Sequence, residues 1–162
     1  MEPRSIAVRT LDPGLRIDRR AITRALRLLD GKPSGKATAR EPALDNPGEL
    51  SVVFLTAGAL ARLHAGFLAD PTETDVITFP GDPALGSAGE ICVSAQAAAR
   101  FAKKTGRDFS EELTLYLVHG WLHLAGYDDR KPRKKQAMRR AEARVMRLLK
   151  ASGAIPTFKR RY

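Results

Sequence analysis

The chain has 162 residues, 43% hydrophobic and 28% charged, with a formal net charge of +10, a composition that suits one globular domain large enough to bury a core without disulfide staples. A single cysteine, Cys92, excludes an internal disulfide and suits a reducing compartment; no apolar run approaches the roughly 20 residues of a membrane span, and the start MEPRSIAVRT has no signal-peptide core, so a cytoplasmic location is expected. The charge is uneven: from Arg130 to Tyr162 thirteen Lys and Arg face the single acid Glu142, whereas residues 1–129 carry fifteen bases and seventeen acids.

Ile6 and Val8 alternate with polar neighbours over Ser5 to Thr10, as in a short half-buried strand. Asp18 is placed to cap a helix with Ala21, Ile22, Ala25, Leu26 and Leu29 on one face and Arg16, Arg19, Arg20, Arg24 and Arg27 on the other, with Gly31 just past its end. Residues 31–48, rich in Pro, Gly and small polar residues without periodicity, read as a mobile surface loop within one domain. The continuous apolar run Val52 to Leu55 predicts a strand covered on both faces, and Thr56 caps the helix that follows, to about Leu68. Its His64 has no partner at helical spacing and reads as a packed or half-exposed side chain. The turn ADPTETD leads to a strand over Val76 to Phe79, stopped by Pro80, and Glu90 to Ser94 forms another that pairs with it as an antiparallel hairpin.

Ser94 or Ala95 opens a helix to about Lys104, ended by Gly106. Asp108 with Glu111 resembles a capping box for a helix over Phe109 to Leu124, which is apolar almost all round and is expected to be buried, with its histidines facing a dry cavity. The last helix, Lys131 to Lys150, places Ala137, Met138, Ala141, Val145, Leu148 and Leu149 on one face and Arg140, Arg144 and Arg147 on another, and residues 151–162 follow as a basic tail. Clustered basic charge concentrates polyanions, of which RNA is the commonest in the cytosol; the alternative is a solvated face that only aids solubility. No internal repeat and no second domain boundary is visible.

The stretch HGWLHLAGYDD, His119 to Asp129, is where candidate metal ligands gather. Histidines four apart on a helix sit one above the other on one face. Gly126 can end that helix with a left-handed residue and turn the chain back, so that Asp128 or Asp129 supplies a third ligand. The spacing H-x-x-x-H-x-x-G-x-x-D is that of the metzincin zinc motif with two changes. Gly120 replaces the glutamate general base, which argues against peptide hydrolysis, and Asp129 stands at the third His. Two imidazoles and a carboxylate suit zinc with an open position, and also ferrous iron or manganese. The alternative is a pair of core histidines on a helix that Gly126 merely ends.

Three segments together, PTETDVITFP (71–80), Gly89-Glu90-Ile91 and HGWLHLAGYDD (119–129), resemble the YbeY family of metal-dependent endoribonucleases that act in ribosomal RNA maturation. The resemblance covers roughly residues 50–150, with a looser N-terminal strand and helix, and HGxLHLxGYD is a specific string. It implies an α+β domain, a four-stranded mixed sheet packed against about five helices, spanning residues 1–162. It further implies one zinc ion held at His119, His123 and position 129, single-strand-specific cleavage in the processing of the 16S ribosomal RNA 3′ end and in ribosome quality control, and the ribosomal small subunit or its assembly factors as partners. Most members have His where Asp129 stands, which shifts preference towards harder cations, and many place an Arg near Leu68. Arg140, Arg144 and Arg147 are the candidate phosphate contacts. Tyr127 or Asp128 would orient the turn. Glu90 and Asp75 are carboxylates near the motifs, each explained as readily by a strand end or a turn cap. The other readings are a small zinc metallopeptidase, or a non-catalytic assembly factor whose metal is structural, for which a fourth protein ligand such as His64 would speak.

Overall fold

In the computed structural model the described residues are 3–31, 44–68 and 75–161, apart from the side chains of 67 and 68. The interior of the 31–48 loop, most of the ADPTETD turn and the Leu68 side chain lie outside them. The elements follow one another as β1 (Ile6–Thr10), β2 (Leu15–Arg16), α1 (Arg19–Asp30), β3 (Glu49–Leu55), α2 (Ala57–Leu68), β4 (Val76–Pro80), a short 3-10 turn, β5 (Ser87–Ser94), α3 (Ala95–Thr105), α4 (Phe109–Leu124), α5 (Pro132–Ala151) and β6 (Lys159–Arg160). The fold is α+β, with a four-stranded mixed sheet in the order β1-β3-β5-β4. β3 runs parallel to both β1 and β5, and β4 joins β5 antiparallel as the expected hairpin.

Strand alternation builds two cores, because successive side chains of β3 and β5 point to opposite faces. Leu50, Val52, Phe54, Ile91 and Val93 face the larger core, shared with α1, α3, α4 and α5. Val53, Cys92 and Ile77 face a smaller one beneath Leu60 of α2. β3 is therefore covered on both sides, as its unbroken apolar run requires. Each fully buried Phe54 or Leu113 contributes on the order of 1.5–3 kcal/mol.

The caps read from sequence are present. Asp18 accepts from the Ala21 amide, Ser94 from Ala97 and Asp108 from Glu111, and Thr56 Oγ1 accepts from Ala59. Residues 152–161 pack back on the domain. Lys159–Arg160 pair with Leu15–Arg16, Phe158 packs edge-on against Phe54 at 5.5 Å, and Arg160 reaches buried Asp12 at 3.2 Å, so part of the terminal charge is neutralised inside the domain. None of the described helices is long and apolar enough to cross a membrane.

Gly120 fixes how closely α4 approaches the sheet. A Cβ there would stand 2.6 Å from Ile91 Cγ2 and 3.3 Å from Val76 Cγ1. Ile91 is fully buried and stiff at its branched Cβ. Alanine is the better helix former by about 1 kcal/mol, but overpacking a closed core costs about 1–3 kcal/mol. Gly120→Ala is therefore expected to destabilise the fold by up to about 2 kcal/mol, read from the urea midpoint; a raised midpoint would contradict this packing.

Candidate metal centre

α4 ends at the centre it builds. The Gly126 amide bonds the His123 carbonyl at 3.1 Å and the Tyr127 amide bonds that of Leu122 at 3.0 Å, with Gly126 at φ 108. This is the paired closure of a left-handed helix end, and it sends the chain back across the face that carries His119 and His123. The two imidazoles meet through Nε2 atoms 3.0 Å apart, and Asp129 Oδ2 stands 3.6 Å from each. Among the described residues these three form a cluster with one ligand atom apiece, all within 4.8 Å of one another.

That triangle has the size a small cation needs. In a tetrahedral zinc site, with bonds of about 2.0–2.1 Å, ligand atoms lie roughly 3.3 Å apart. The residues present fit a divalent cation with three protein ligands and a fourth position open. The side chains are half-buried, His119 28% and His123 26% exposed, so the expected dry cavity is replaced by a site open to solvent. The reason is position: both lie on the one side of the last turns of α4 that the core does not cover, while Gly120, Trp121 and Leu122 beside them stay buried.

Glu142, from α5, completes the arrangement. Its Oε1 lies 2.6 Å from His119 Nδ1, and since a carboxylate only accepts, Nδ1 carries the proton and Nε2 turns its lone pair to the cluster. Sequence reasoning finds Glu142 only as the lone acid in a basic run. That isolation is the available signal.

Asp128 is engaged elsewhere. The Arg130 amide donates to its Oδ1 at 3.0 Å, and Arg130 and Lys134 side chains approach at 3.5 and 3.9 Å; the backbone hydrogen bond first, then these charges, hold its carboxyl below the usual range. It braces the turn into α5, while Asp129 faces the histidines. Tyr127 receives a 3.4 Å contact from Arg144 Nη2.

The remaining candidates are dispersed. Arg140, Arg144 and Arg147 are exposed on α5, and at about 100° per residue they lie on the side of the helix away from Glu142; only Arg144 touches the ligand turn. Glu90 shares the α2-facing side of β5 with Cys92, whose Sγ lies 3.8 Å from it. Burial first, then Glu90, push the Cys92 thiol up to about 12, so it is an inert core thiol. Asp75 is outside the three-residue cluster and acts on Tyr116 of α4: burial of Tyr116, then the Asp75 charge, raise that hydroxyl's pKa. His64, on the opposite side of the sheet, is outside the three-residue cluster.

A family model described as Endoribonuclease YbeY matches residues 32–150. The chain belongs to the YbeY endoribonuclease family. Family members named Endoribonuclease YbeY include that of Chlamydia pneumoniae, 42% identical over 117 residues, covering 67% of this chain and 74% of the relative, and that of Chlorobium phaeovibrioides, 31% identical over 130 residues, 80% of this chain and 81% of the relative. The solution structure of TM1509 from Thermotoga maritima is similar with a TM-score of 0.56 at 19% identity, covering 92% of this chain and 94% of that one, a likeness of fold. Membership in YbeY places the chain among the hydrolases that are nucleases.

Proposed function

We propose that this YbeY-family chain is a cytoplasmic, metal-dependent endoribonuclease that cleaves single-stranded ribosomal RNA, in the maturation of the 16S RNA 3′ end and in ribosome quality control, with the small subunit or its assembly factors as partners. One divalent cation, zinc in the first place, is held by His119, His123 and Asp129. The observation that carries this reading is the convergence of the three donors within 4.8 Å in a chain of an endoribonuclease family. When bound, such a cation supplies Lewis acidity towards a phosphodiester and towards water. His119 and His123 present their Nε2 atoms, Glu142 accepts from His119 Nδ1, and Arg144, beside Tyr127, offers a guanidinium next to the ligand turn; with Arg140 and Arg147 it forms a basic face for phosphates.

The peptidase reading loses its general base for a steric reason as well as a chemical one, since position 120 faces Ile91 and has no room for a carboxylate side chain. A purely structural metal is disfavoured by a three-ligand cluster that His64 does not join. Chelator-treated protein is expected to lose cleavage of a labelled single-stranded RNA, and to regain it with one equivalent of zinc or manganese while leaving duplex RNA and casein intact. Undiminished cleavage after verified metal removal, or casein hydrolysis, would overturn the reading.

Asp129 as the third ligand makes a separate forecast. Outer partners of metal ligands are worth about 10–100-fold in affinity, so losing a ligand is expected to cost more: Asp129→Ala should weaken zinc binding beyond about a hundredfold. Asp129→His should retain or strengthen it. Asp128→Ala should keep the metal, because its carboxylate is spent on the turn. Competition with a chromophoric chelator measures all three, and loss of metal from the Asp128 variant but not the Asp129 variant would exchange the two roles.

A further inference from the structure

A second concentration of positive charge lies on α1, outside the metal centre and outside the C-terminal run. Arg19, Arg20, Thr23, Arg24, Arg27 and Leu28 line a shallow surface cavity of about 500 Å³. Among the described residues no acidic side chain lines it. Three of its arginines are held by main-chain carbonyls instead of carboxylates: Arg19 Nε donates to Val8 O at 3.0 Å, Arg24 Nη2 to Ser152 O at 3.2 Å and Arg27 Nη1 to Arg4 O at 3.0 Å. A carbonyl positions a guanidinium without cancelling its charge. Arg20 is exposed and has no partner among the described residues. Between them, the half-buried Leu28 and Thr23 give an apolar floor.

We propose that this groove is a second RNA-holding surface, in which the four guanidiniums take successive phosphates of a single strand and the floor accommodates a base. The inference rests on the RNA-directed reading of the metal centre and adds the surface that keeps a long substrate in place. Rows at i, i+4 and i+7, as in Arg20, Arg24 and Arg27, put charges about 5–6 Å apart along the helix, a spacing a flexible single strand can follow. Guanidinium planes also stack on unpaired bases, which suits single-stranded RNA over a duplex. α5 links the two places. Glu142 touches His119 and Ser152 touches Arg24, ten residues or about 15 Å of helix apart, so a dinucleotide fills one site and a longer RNA reaches both.

Two variants test this in the metal-replete protein, Arg20→Gln alone and Arg20→Gln with Arg24→Gln and Arg27→Gln. Arg20→Gln breaks no bond within the described protein and guards against a folding artefact. Binding is titrated with labelled single-stranded RNAs of about 2 and about 20 nucleotides at several salt concentrations, beside vesicles of phosphatidylglycerol and phosphatidylcholine. The triple variant is expected to bind the long RNA about tenfold more weakly, with a log–log salt slope flatter by about 0.7 for each phosphate that is no longer neutralised. In cleavage assays KM for the long RNA should rise with kcat unchanged, and the short RNA should be processed as before. An unchanged affinity and slope for the long RNA would overturn the inference, as would a loss confined to vesicle binding, which would make the groove a lipid-facing patch. If the wild-type chain binds long RNA through α1 but cleaves nothing, the groove stands and the proposed activity falls.

Discussion

His119→Ala is expected to yield a folded chain that holds no stoichiometric divalent cation and cleaves single-stranded RNA about a thousandfold more slowly. Lewis-acid stabilisation by a bound cation is worth several kcal/mol, and each 1.36 kcal/mol is tenfold in rate. The fold should survive because the side chain is 28% exposed and sits near the end of α4, where alanine is a good helix former. Its removal opens no closed cavity. In chelator the two proteins should differ only by the lost His119–Glu142 hydrogen bond, about 1 kcal/mol, and separate further with metal present, because a ligand that binds the native state alone stabilises it by mass action. Elemental analysis, circular dichroism and cleavage rates read the three effects independently. Cleavage retained within about tenfold of wild type would remove the cation from the chemistry.

Local signals carry well from sequence to structure. The caps at Asp18, Thr56, Ser94 and Asp108, the β4–β5 hairpin and the left-handed Gly126 each depend on residues within a few positions of one another, and each is legible. The His119–His123 pair with a returning Asp129 is legible for the same reason: one helix end and one turn fix all three. Motif spacing favours Asp129 over Asp128, and what the sequence cannot show is where Asp128 goes instead, drawn by Arg130 and Lys134 towards α5. What needs the third dimension is long-range. The β2–β6 ribbon joins two-residue strands about 145 positions apart, too short for any periodicity, and is fixed by Phe158 docking on Phe54. The expectation of a dry cavity follows from the apolar character of α4 as a whole, whereas the side that carries the two histidines is left partly uncovered. In sequence Gly120 is a missing base, and its packing against Ile91 cannot be seen along one chain.

Glu142 is the long-range case with the largest functional consequence, and replacing it is expected to weaken metal binding without touching a ligand. Glu142→Ala should lower zinc affinity by about 10–100-fold, the usual worth of an outer carboxylate, because without the 2.6 Å partner on Nδ1 the His119 proton is free to move to Nε2, the nitrogen that must face the cation. Glu142→Gln keeps an acceptor for the Nδ1 proton and loses the charge, so its affinity should fall between the two. Nitrogen-15 NMR of His119 in the metal-free protein supplies the decisive signature: wild type should show the Nδ1-protonated tautomer, and Glu142→Ala a mixture. A merely structural role for Glu142 forecasts a different pattern, a lowered urea midpoint in chelator with tautomer and metal affinity unchanged. Wild-type zinc affinity in Glu142→Ala would mean that α5 supports the centre only by packing, through Met138, Ala141 and Val145.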